Sequence, residues 1–83
     1  MESTEAFKDL AEFIVESLVD NPDQVSVKEI ATDRTVIVEV QVASSDMGRV
    51  IGRGGAVVNS IRTLLQVLAV KEDKRVSLEI LED

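Results

Sequence analysis

Four valines at every second position, Val36, Val38, Val40 and Val42, alternate with Thr35, Ile37, Glu39 and Gln41. Branched side chains in strict alternation predict a half-buried β-strand, one face covered and the other open to solvent or a ligand. Upstream, Phe7, Leu10, Ala11, Ile14 and Leu18 recur at three- and four-residue spacing, with Lys8, Asp9, Glu12 and Glu16 opposite, which predicts an amphipathic core helix. Ser3 or Thr4 is its expected cap, and Asn21-Pro22-Asp23 its stop, because proline disfavours helical geometry in the residue before it. Val25, Val27 and the stretch to Ala31 read as a first strand, and Thr32-Asp33-Arg34 as a hairpin turn.

Beyond the valines, Ala43-Ser44-Ser45-Asp46 breaks the alternation and offers caps for a short helix through Ile51. Gly48 within it costs about 1 kcal/mol relative to alanine, which points to close backbone approach, preferably by a packed neighbour. Val57, Val58, Ile61, Leu64, Leu65 and Leu68 give the apolar face of a long helix, Ala56 to Val70. Lys71 to Lys74 reads as a charged connection, and Val76, Leu78 and Ile80 alternate as a last strand. The predicted order is α-β-β-α-α-β. A hairpin joins the first two strands, and a two-helix crossover favours parallel pairing of the second and third. The expected fold is α+β, a three-stranded mixed sheet with three helices on one face.

Eighty-three residues, 45% hydrophobic, make one small domain spanning 1–83. A chain this short buries only about 60% of its unfolded surface, so a dimer partner is a natural supplement. Cysteine and histidine are absent, which removes thiolate chemistry, the usual general base and the commonest metal ligand. No cofactor or metal is expected. No apolar run approaches the roughly 18 residues that cross a bilayer, and the acidic N-terminus lacks a signal-peptide layout, so no membrane association and a cytoplasmic location are expected.

Net charge is −7, yet it is unevenly spread. Residues 44–71 hold Arg49, Arg53, Arg62 and Lys71 against Asp46 alone, and this is the only positive stretch. Charges beyond about 8 Å are largely screened at physiological salt, so a local patch acts despite an acidic whole.

Gly52-Arg53-Gly54-Gly55 lies inside that stretch, after Val50-Ile51 and before the long helix. Backbone bare of side chains at a helix start admits a phosphate to outward N–H groups, and the helix dipole favours its charge. Arg53 at the tip adds a charge-assisted contact.

The run Val50-Ile51-Gly52-Arg53-Gly54-Gly55-Ala56-Val57-Val58 resembles the V-I-G-x-x-G-x-x-[I/V] signature of K-homology (KH) domains, and the element order resembles their type II, prokaryotic form. The likeness extends over essentially the whole chain, which is similar to small bacterial RNA-binding proteins made of one KH domain. It implies an RNA-binding protein whose GxxG loop clamps the backbone of about four single-stranded nucleotides while the bases lie in a groove between helix and strand. Carried over, Gly52 and Gly55 are the fixed glycines, Arg53 and Gly54 face the phosphates, and Ile51 and Val58 line an apolar floor. Arg49 and Arg62 extend the positive path. Bases would meet the open side of the Val36–Val42 strand or a neighbouring strand edge. The resemblance further implies a post-transcriptional regulator or RNA chaperone, acting as a homodimer or with a second KH-containing RNA-binding protein.

The loop carries one charge and the chain two aromatics, Phe7 and Phe13, so low affinity and weak sequence preference are expected. An enzyme is the least favoured class. The glycines match neither G-x-x-x-x-G-K-[S/T] nor G-x-G-x-x-G, and Glu39 and Asp46 read as solvated surface carboxylates. The alternative is a protein-interaction module in which the same loop surface forms a homo- or heterodimer contact, since glycine admits any backbone closely.

Overall fold

The computed structural model describes residues 5–83. Helix α1 spans Ala6–Leu18, strands β1 and β2 span Ser26–Ala31 and Thr35–Val42, helix α2 spans Met47–Ile51, α3 spans Ala56–Glu72 and strand β3 spans Arg75–Glu82. Short 3-10 turns sit at Pro22–Gln24, Ser44–Asp46 and Arg53–Gly55. The order is the expected one. The cap sought from Ser3 or Thr4 lies outside the described residues. Among the described residues, Glu29 of β1 accepts the Lys8 amide in the first turn of α1 at 2.9 Å.

Strand β2 is central, antiparallel to β1 and parallel to β3. Register places Val27 beside Val40, and Val38 beside Leu78, so the apolar side of each strand faces one layer of helices. All four valines of β2 are buried and join Phe7, Ala11, Val15, Val50, Val58, Ile61, Leu65, Ala69 and Leu78 in a single core. The opposite sheet face, with Lys28, Glu39 and Glu79 in one row, stays uncovered.

Three expectations need correction. Leu18 is the last residue of α1, where the chain turns away, and it is exposed; Val15, continuing the four-residue row from Phe7 and Ala11, is buried instead. Leu64 is 50% exposed, because the buried stripe of α3 runs Val58, Ile61, Leu65 and Ala69 and leaves Leu64 at its margin. Helix α3 also continues two residues past Val70. It ends only where Asp73 turns left-handed (φ 57°), with the Lys74 and Asp73 amides donating to Ala69 and Val70 carbonyls at 2.8 and 3.2 Å.

A candidate nucleic-acid interface

The corner between α2 and α3 is built from three glycines with positive φ, at 77° for Gly52, 62° for Gly54 and 82° for Gly55. Gly52 closes α2 by donating its amide to the Gly48 carbonyl (2.9 Å), and Gly55 donates to Gly52 (3.1 Å), so the turn folds back on itself. The three are not equivalent. A Cβ on Gly52 would sit 2.5 Å from Val57 Cγ2 and 2.8 Å from the Val57 backbone nitrogen, so only hydrogen fits there. One on Gly55 would touch Asn59 Nδ2 at 3.4 Å, whereas one on Gly54 meets nothing within 4 Å. Gly52 permits the packing, and Gly54 leaves the outer surface of the turn open.

Arg53 is exposed beside Gly54, and its guanidinium has no hydrogen-bond or ion-pair partner among the described residues. The corner leads into the N-terminus of α3, a 17-residue helix whose start carries no side-chain cap. The positive end of its dipole and a guanidinium without a partner therefore lie at the same corner. Chemically, the corner offers backbone donors and positive charge to an anion.

Ile51 and Val58 brace the corner from beneath. Val58 belongs to the buried core and Ile51 packs partly against it, so they set the height of the turn more than they offer surface. Gly48 is not a point of close packing. A Cβ there would meet nothing within 4 Å, and the residue lies on the exposed side of a helix only five residues long.

Arg49 and Arg62 are both committed elsewhere. Arg49 Nε lies 3.4 Å from Asp20 Oδ2, beyond the end of α1, in a pair exposed on both sides. Arg62, on α3, donates to Asn59 Oδ1 (3.0 Å) and to the Leu78 carbonyl of β3 (3.3 Å). That second bond marks a cleft between α3 and β3 lined by Arg62, Leu65, Gln66, Val76, Ser77 and Leu78. Of the two strand surfaces considered for base contact, β3 is an edge strand bordering α3, while the open face of β2 points away from the helices.

Asp46 overturns its surface reading. It is 1% exposed, and it caps no part of α2. Its carboxylate accepts the Asp20 amide, the Asn21 amide and the Asn21 side-chain nitrogen, each at 3.1 Å. Burial pushes this carboxyl up, but the three donors and the nearby Arg49 charge outweigh it and hold it below the usual aspartate value. The effect is a buckle from the residues just past α1 to the one just before α2, one short helix before Gly52. Its position as the sole acid of the positive stretch was the only hint in the sequence.

A helix–GxxG–helix corner set between a β-hairpin and a parallel third strand defines a type II KH domain. Solved structures with this fold include Era of Aquifex aeolicus bound to GDP and aluminium fluoride (TM-score 0.61, 15% identity) and Era in complex with a GTP analogue and a segment of 16S ribosomal RNA (TM-score 0.60, 16% identity). Each alignment covers 92% of this chain and 29% of the other, so the likeness concerns the fold of one part of Era. The chain belongs to the KhpA/KhpB KH-domain family, whose model matches residues 8–80. It is similar to the RNA-binding protein KhpA of Clostridium acetobutylicum, 49% identical over 89% of this chain and 99% of that protein. The RNA-binding protein KhpA of Aquifex aeolicus is 44% identical over 93% and 98%. No helix among the described residues is long and apolar enough to cross a membrane.

Proposed function

We propose that this protein binds single-stranded RNA, gripping the sugar–phosphate backbone at the Gly52–Gly55 corner and acting as a post-transcriptional regulator or RNA chaperone. The observation that carries this reading is the conjunction at the corner: an outward Gly54 with open space around it, an unpartnered Arg53, and an uncapped helix start. Relatives named as RNA-binding proteins along their full length support it. Arg53 and Gly54 meet the phosphates, Gly52 and Gly55 give the turn its shape, and Ile51 and Val58 hold it in place. The bases follow the α3–β3 cleft past Arg62, and Arg49 adds field at the flank.

A second reading is self-association or pairing with another KH-containing protein. The exposure of Leu64, Val67 and Val70 along α3 favours it, since three large apolar residues on one helix are a common basis for protein contact. One variant separates the two. Aspartate at positions 53 and 54 together places two negative charges where phosphates would lie and leaves Gly52 and Gly55 unchanged. Under the RNA reading, crosslinked RNA disappears while circular dichroism and sedimentation stay as in the wild type. Loss of association with RNA crosslinking retained would reverse the assignment.

A further inference from the structure

We propose that the far end of the α3–β3 groove is a second phosphate-binding stretch, where Lys74 and Arg75 hold the continuation of a strand clamped at the glycine corner. This rests on the RNA-binding reading above and extends the grip to the opposite end of the domain, through backbone charge alone.

The groove is continuous and widens away from the corner. The cleft at Arg62, about 20 Å³, shares Gln66 and Val76 with a recess of about 440 Å³. That recess shares Val70, Lys74 and Arg75 with one of about 630 Å³. At the near end the groove adjoins the corner, because Arg62 donates to Asn59 Oδ1 (3.0 Å) and Asn59 Nδ2 lies 3.4 Å from where a Cβ on Gly55 would stand. The 17 residues of α3 set the two ends about 25 Å apart. The far end is firmly built, since the Arg75 amide donates to the Arg34 carbonyl at 2.7 Å and ties the start of β3 to the hairpin turn.

Charge names the occupant. Acids outnumber bases 16 to 9 in this chain, yet the groove is lined by Arg62, Arg34, Lys74 and Arg75 against Asp73 alone. Asp73 is already paired with Arg34 at 3.9 Å, which leaves Lys74 and Arg75 without an ion-pair partner among the described residues. Lys74 is half-buried, so its stem is held by the recess while its ammonium stays available. A lysine just past a helix C-terminus also complements the dipole, but that role needs neither a recess nor Arg75 on the adjoining strand. Two free cations in an open groove that runs on from the corner suit an extended polyanion, and the strand held at the corner is one.

The test is fluorescence anisotropy of labelled oligouridylates of about four and about twelve nucleotides across a salt series, the shorter one matching the corner's own grip. For the wild type, the slope of log K against log salt is expected to be steeper by about 1.4 for the longer strand, two further phosphates at the single-strand coefficient. Lys74→Gln with Arg75→Gln, checked for fold by circular dichroism, brings the longer strand's slope back to the shorter one's. It weakens the longer strand roughly twentyfold at about 0.1 M salt and leaves the shorter one unchanged. Lys8→Gln with Lys28→Gln removes the same charge outside the groove and leaves both slopes as in the wild type. Equal slopes for the two lengths in the wild type, or an equal loss in the Lys8 and Lys28 variant, would overturn the proposal while RNA binding stands. Unchanged slopes in the Lys74 and Arg75 variant with self-association lost in sedimentation would overturn it too, giving the groove to protein contact. Binding of neither oligonucleotide by the wild type would overturn the RNA reading itself.

Discussion

The Cγ2 methyl of Val57 stands where a side chain on Gly52 would begin, 2.5 Å from the Cβ position, and the Val57 backbone nitrogen lies only 2.8 Å away. A flexible tip could yield, but backbone cannot. Gly52 also has φ 77° and ψ 169°, a region essentially closed to other residues. Gly52→Ala is therefore expected to destabilise the domain by about 2–5 kcal/mol, from backbone strain and overpacking together. Gly54→Ala meets nothing and sits in the ordinary left-handed region, so about 1–2 kcal/mol is expected. Urea denaturation of the two variants checks the contrast, and equal midpoints would refute it.

RNA affinity should depend on salt, though weakly. Two or three neutralised phosphates give a slope of log K against log salt of about −1.5 to −2, with the single-strand coefficient. Arg53→Ala should reduce that slope by about 0.7, whereas the exposed Arg34 at the hairpin turn should leave it unchanged when replaced. Titrations across a salt series decide this.

Acid should loosen the buckle at Asp46. Its carboxyl titrates lower in the folded protein than its ordinary value of 3.8, so it stabilises the fold at neutral pH. That contribution is complete above the unfolded value and is lost as pH falls below about 3.8 through the folded one. Asp46→Asn should be less stable than wild type at pH 7, with the difference narrowing in strong acid. Thermal melts over a pH series measure it, and a constant difference would exclude the linkage.

Neighbouring leucines on α3 offer a check on the packing. Leu65 is fully buried and Leu64 half-exposed. Leu65→Ala should cost about 3–5 kcal/mol, the range for a cavity in a closed core, and Leu64→Ala less than about 1 kcal/mol. Chemical denaturation gives both values.

The features legible in the sequence were those written into short stretches of chain. Alternating valines specify β2 because period two is a local property, and the glycine corner announces itself because its conformation belongs to those residues. Asp46 was misread because its partners, Asp20 and Asn21, lie some twenty-five positions earlier and meet it only after α1 docks. Arg49 and Arg62 were legible as charge but not as bonded groups, since Asp20 and the Leu78 carbonyl come from other elements. Leu64 fits the helical spacing as well as Leu65 does; only the angle at which α3 lies on the sheet decides which is covered. Gly48 was given a neighbour it does not have, and its cost in a five-residue helix has no packing explanation here.

Thr35 pairs with Arg75, forty positions later along the chain, and every β2–β3 pair spans that same distance. Closing so long a loop is slow, because its entropy is lost before any contact is gained. The two helices and the glycine corner lie wholly inside it. On a ribosome, β2 would emerge with its valines exposed well before the strand that completes the sheet, and the period until Glu82 is synthesised is when this chain is most open to misassembly.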